Sequence, residues 1–135
     1  MFSDSDIAFM KEALSLAIEA EQNQEVPVGA VIVKDNKVIG KGRNKIIFDQ
    51  DISSHAEIVA IRDASKNISN YRLNNCKMFV TLEPCHMCAK AIVDARIDSV
   101  IFAASEPKSG SLVSVDNFFE RISLNHRVTF EMGLL

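Results

Sequence analysis

Apolar positions at the start of the chain recur with helical spacing. Ile7, Met10, Leu14 and Ile18 fall three or four residues apart. They predict a helix over residues 4–23, capped by Asp4 or Ser5, whose apolar stripe packs on a sheet. The pattern then changes. Residues 28–34 form a continuous apolar run rich in β-branched side chains, as in a buried strand. Asp35-Asn36-Lys37 reads as a turn, and Val38 opens a second strand. Residues 55–67 read as a helix and 77–82 as a strand. Pro84 breaks that strand before a helix over 85–96, and 99–103 is a short buried strand. A loop over 106–111, closed by Gly110, leads to a short helix over 115–122 and a last strand over 127–132. The order α-β-β-α-β-α-β-α-β implies a mostly parallel sheet covered on both faces, made mixed by its opening hairpin.

The 135 residues match one domain spanning 1–135, with no internal repeat or linker. A content of 47% hydrophobic and 24% charged residues supports a packed core and argues against disorder. A net charge of −3 does not announce a nucleic-acid binder, yet a local basic rim is compatible with it. Lys41, Arg43, Lys45, Lys108 and Arg127 are the candidates for such a rim. The first residues lack the basic and apolar regions of a signal peptide. The longest apolar run, residues 26–33, is too short to span a bilayer. No membrane association and a cytoplasmic location are therefore expected.

Three cysteines, two of them spaced C-x-x-C, point to thiolate chemistry rather than a disulfide framework. Cys85 and Cys88 lie in Pro84-Cys85-His86-Met87-Cys88, and His55 and Glu57 in His55-Ala56-Glu57; each segment opens a predicted helix. Two thiolates and one imidazole make a three-ligand zinc site, one per chain, with a coordination position left open for water. Helix N-termini favour thiolates and carboxylates there. An open site on zinc activates water near neutral pH, and a carboxylate beside it can move the proton. Glu57 suits that role better than ligation, which would close the site. H-x-E followed by P-C-x-x-C is the two-part signature of zinc deaminases acting on cytosine or adenine. Cys76 reads as a small core residue. His86 should point away from the metal, and His126 is structural or lies on the rim.

Beyond those four residues, the chain resembles the bacterial tRNA adenosine deaminases of the cytidine deaminase-like superfamily. The likeness runs through EVPVGAVIV (residues 25–33), GRN (42–44), HAEIVAIR (55–62), NYRL (70–73), VTLEPCHMC (80–88) and LNHRV (124–128). It implies a three-layer α/β/α fold around a five-stranded mixed sheet. It implies a homodimer with the site near its interface. The implied reaction converts adenosine to inosine at the wobble position of a tRNA anticodon stem-loop, with Glu57 protonating N1 and then the leaving amine. Asn44 matches the residue that holds the nucleoside. By the same likeness Val28 lines the pocket, the backbone at Ala56 and Glu83 meets the base edge, and Glu106 and Lys108 meet flanking nucleotides. Glu106 departs from the aspartate usual in that loop, Asp51-Ile52-Ser53-Ser54 departs from the Asp-Pro-Thr usual before HAE, and the family's C-terminal helix is expected to be absent after Gly133-Leu134-Leu135. Two other readings stand beside this one: a deaminase of the same fold for guanine, cytosine or cytidine, and a non-catalytic zinc-binding protein.

Overall fold

A computed structural model describes residues 2–121 and 123–135. Five strands form one mixed sheet: β1 (Gly29–Lys34), β2 (Lys37–Arg43), β3 (Cys76–Leu82), β4 (Ser99–Ala104) and β5 (Thr129–Met132), in the order β2-β1-β3-β4-β5. β1 runs antiparallel to both β2 and β3, while β3–β4 and β4–β5 are parallel. Half the pairings are thus antiparallel, more than the expected mostly parallel sheet. The reason is that β1 enters between its hairpin partner and β3, and opposes both.

Helix α1 (Asp4–Gln22) covers one face, burying Met10 and Ala13 against Val31, Val33, Phe79 and Ile101. Its cap is Ser3 rather than Asp4 or Ser5: Ser3 Oγ accepts the Asp6 N–H and Asp6 answers at the Ser3 N–H, a reciprocal capping box. The expected stripe holds at Ile7 and Met10 and turns away beyond them. Ile18 is 56% exposed, and the buried line is Met10, Ala13, Ala17 and Ala20. The helix lies so close to β1 that a Cβ on Gly29 would stand 2.0 Å from the Ala13 carbonyl oxygen. Only small side chains fit along that seam, so alanines displace the larger residues.

On the opposite face lie α3 (Ala56–Ile68) and α4 (His86–Asp94), packed on Ala30, Ile32, Met78, Val80, Val100 and Phe102. Ala56, Ala60 and Ala64 of α3 repeat the close packing, against Gly40 and Gly42 of β2. A four-residue helix, α2 (Ile46–Asp49), follows β2 and was not foreseen in the sequence. The helix expected over 115–122 is a single 3-10 turn, Phe118–Glu120, and its expected end at Ile122 lies outside the described residues. No described helix is long and apolar enough to cross a membrane.

Because β1 opposes β3, the start of β1 and the ends of β2, β3 and β4 share one end of the sheet. Both α3 and α4 begin there as well. Crevices at strand ends in α/β sheets are where ligands bind.

Candidate metal centre and substrate cavity

His55 is the residue just before α3, with an extended backbone (φ −69°, ψ 154°); Cys85 takes the same place before α4 (φ −77°, ψ 176°). Each side chain can therefore reach beyond its helix end. Glu57 follows two residues after His55, and Cys88 closes the first turn begun at Cys85. His55 Nδ1 lies 3.7 Å from Cys85 Sγ and 3.4 Å from Cys88 Sγ, and the three donor atoms all lie within 4.8 Å of one another. They could hold a metal ion.

The thiols influence each other strongly. Cys85 is pulled down to about 5, chiefly by the Cys88 thiol; burial opposes this, and the Cys88 N–H, the nearby His55 and the Met87 N–H assist it. Cys88 is pushed up by the Cys85 sulfur, by burial and by Glu57. Two thiolates this close need a cation between them to ionise together, which is the chemistry of a metal-binding pair.

Glu57 is 4% exposed. Burial raises its carboxyl to about 7 against the pull of its own N–H, and charge at Cys85 raises it further, while the Cys88 thiol lowers it. A cavity of about 210 Å³ opens beside these groups. Val26, Val28, Asn44, Ile46, Leu82, Glu83, Glu106 and Ser109 complete its lining with His55, Glu57 and Cys85.

Most of the expected site residues thus meet in one place. Asn44 is buried, and its Oδ1 accepts the Ala56 N–H at 2.9 Å, which ties the end of β2 to the start of α3. That bond occupies the Ala56 N–H, and Ala56 is not among the described lining residues. Lys108 is exposed and is not among them either; its N–H donates to Glu106 Oε1. The basic rim is also smaller than expected. Arg43 is turned onto Glu19 of α1 at 3.2 Å, Lys41 pairs with Glu12, and Arg127 donates to the Arg121 carbonyl. Lys45 lies over the Phe48 ring. As expected, Cys76 is buried, His86 turns outward to Asp116 at 2.9 Å, and His126 donates to the Ile97 carbonyl.

The side chain of Glu83 has a part that sequence reasoning missed. Its Oε1 accepts from the Glu106 N–H and the Ser114 hydroxyl, and its Oε2 from the N–H groups of Leu112, Val113 and Ser114, at 2.5–3.1 Å. Burial opposes ionisation, but these donors prevail and hold the carboxyl at about 2. Nothing in the local sequence signals this, because every donor lies 23–31 residues away.

The family model for MafB19-like deaminases matches residues 3–133. The tRNA-specific adenosine deaminase of Haemophilus influenzae is 46% identical over 134 residues, covering 98% of this chain and 78% of its own. A solved structure described with A-to-I editing by tRNA:A34 deaminases at the wobble position superposes with a TM-score of 0.90 at 40% identity, covering 93% of this chain and 97% of the other. The guanine deaminase of Bacillus subtilis gives 0.72 at 34% identity, covering 92% and 82%.

Proposed function

The chain belongs to the tRNA-specific adenosine deaminases within the MafB19-like deaminase family, and on that premise we propose that it hydrolyses adenosine to inosine at the wobble position of a tRNA anticodon. The observation that carries the reading is the placement of Glu57 in one cavity with His55 and Cys85, two of the three clustered donors. The weaker likeness to guanine deaminase leaves a free base as the less favoured substrate.

The donor set fits zinc, one ion per chain. Zinc–sulfur bonds of about 2.3 Å and zinc–nitrogen bonds of about 2.0–2.1 Å in a tetrahedron put nitrogen and sulfur about 3.6 Å apart. The two distances here, 3.4 and 3.7 Å, bracket that value. His55, Cys85 and Cys88 would hold the ion. When bound, zinc supplies positive charge and an activated water at neutral pH.

Glu57 then moves the protons. Its carboxylate takes one as the water oxygen adds to adenine C6, and delivers it to N1. The second goes to the exocyclic nitrogen, which leaves as ammonia, and the C6 carbonyl of inosine forms. A buried carboxyl pushed upward toward neutrality suits a group that must both accept and return a proton. Asn44 orients the nucleoside, Val28 packs on it, and the backbone at Glu83 meets the base edge. Glu106 and Lys108 lie toward the flanking nucleotides of the stem-loop.

We further assign residues 1–135 to one deaminase domain acting in the cytoplasm as a homodimer. Ile47, Phe48 and Ile52 form an exposed apolar stretch close to the cavity, which a second copy would cover. Sedimentation equilibrium returning a monomer would remove the dimer. The function is tested with zinc-loaded protein, an anticodon stem-loop carrying adenosine at the wobble position, and free guanine, cytosine, cytidine and adenosine. Inosine and ammonia from the stem-loop are expected; turnover of a free base or nucleoside alone would refute the tRNA substrate.

A further inference from the structure

Glu25 is a third buried carboxylate, 7% exposed, and the chemistry above makes no use of it. Its Oε1 accepts the Ile47 N–H at 3.2 Å and its Oε2 the Phe48 N–H at 2.9 Å. These are first-turn donors of α2, which have no partner inside a helix. A helix of four residues cannot sustain itself, and Lys45 at its start makes no side-chain capping bond. The cap comes instead from a residue more than twenty positions earlier.

The two segments that Glu25 joins form one wall of the cavity. Val26 and Val28 line it from the segment before β1, and Ile46 lines it from α2. The Glu25 N–H is itself tied to the Ala20 carbonyl near the end of α1, and the Asn44 N–H to the Val28 carbonyl. Glu25 is therefore anchored on a rigid helix, and its carboxylate reaches across to α2. It is not among the described lining residues and does not belong to the donor cluster.

We propose that Glu25 is a positioning residue for substrate binding: by clamping α2 against residues 26–28 it sets the width of the cavity at Ile46. The assignment rests on the cavity being the substrate pocket, whichever base enters it. Loss of the clamp leaves the donor set and Glu57 in place, so it should act on KM and leave kcat nearly unchanged.

The test compares zinc-loaded wild type, Glu25→Ala and Glu25→Gln on the anticodon stem-loop and on free adenosine, guanine and cytidine. Amide exchange over residues 45–50 and zinc content are measured alongside. Glu25→Ala should raise KM about tenfold, keep kcat within about threefold, retain zinc and speed exchange at Ile47 and Phe48. Glu25→Gln keeps one acceptor oxygen and should stay within about threefold of wild-type KM. If Glu25→Ala does not fold, Glu25→Asp, one methylene shorter, should show the same split. An unchanged KM with faster exchange, or a fall in kcat at constant KM, would overturn the assignment. Wild-type turnover of guanine but not the stem-loop would defeat the tRNA reading, while Glu25 would still be judged by KM for guanine. A wild type that deaminates none of the substrates would overturn both.

Discussion

Glu57 and Glu83 line the same cavity and are buried to the same degree, 4% and 3% exposed, yet their acidities diverge. Glu57 is raised to about 7 and Glu83 is lowered to about 2. Burial pushes both upward, and Glu57 the harder, so burial alone does not turn Glu83 the other way. Glu83 accepts four backbone N–H groups and a hydroxyl, which stabilise its anion. Glu57, at the start of α3, faces sulfur and the cavity. A carboxylate saturated with donors holds a loop in place; one left short of them remains able to exchange a proton. The fold places Glu57 in the first turn of α3, just after His55, and Glu83 between β3 and α4, just before Cys85.

The largest expected effect separates them by chemistry. Glu57→Gln should lower kcat about 10³-fold while zinc stays at one per chain, with stability changed by under about 1 kcal/mol. Steady-state kinetics, elemental analysis and urea unfolding report the three quantities. Loss of zinc would make Glu57 a ligand and remove its role as proton carrier. Glu83→Ala should show the reverse emphasis. It leaves buried N–H groups without an acceptor, at a cost of about 2–4 kcal/mol, and should release residues 106–114 to rapid amide exchange. Equal destabilisation by the two substitutions would erase the distinction drawn between them.

Acid sharpens the contrast, because the two groups act with opposite sign. The folded value of Glu83, about 2, lies below its ordinary value of 4.5. Its contribution is therefore complete above about pH 5 and is lost as pH falls toward 2. The folded value of Glu57, about 7, lies above its ordinary one. Its contribution is present below about pH 4.5 and disappears as pH rises through 7. Urea unfolding between pH 2 and 5 should show a shallower acid limb for Glu83→Gln than for wild type, and the parental slope for Glu57→Gln. A parental slope for both would mean that Glu83 does not carry the anion in the folded state.

The two glutamates also mark how far the sequence could be read. His55, Glu57, Cys85 and Cys88 were legible because their meaning lies in short spacings at helix starts, and the strand pattern placed those starts at one end of the sheet. Glu83 and Glu25 were invisible as side chains because their partners are backbone N–H groups remote in sequence. The helix expected over 115–122 reduces to the turn Phe118–Glu120, and Val115 and Phe118 turn their N–H groups back onto the carbonyls of Gly110 and Ser111. The small helix Ile46–Asp49 was missed because its cap is Glu25 and not a neighbour. Along α1, hydrophobic spacing located the helix but misjudged its buried line, because a close approach at Gly29 selects for volume rather than hydrophobicity.

Gly110 offers the gentlest way to disturb one glutamate without touching the other. A Cβ there would stand 2.3–2.5 Å from the Glu83 carboxyl atoms. The obstruction is a side chain, but that side chain is held by five donors and cannot swing aside without giving some of them up. Gly110→Ala should therefore cost about 1–3 kcal/mol, less than Glu83→Ala because part of the donor set can follow the displaced carboxylate. The bond from the Gly110 N–H to the Glu106 carbonyl keeps this loop near the cavity, so KM should rise modestly. The kcat set by Glu57 should move least. In the double variant Gly110→Ala with Glu83→Ala the clash is gone, so the cost of Gly110→Ala should fall nearly to zero. Additive costs in that cycle would show that Gly110 is constrained by something other than the Glu83 carboxylate.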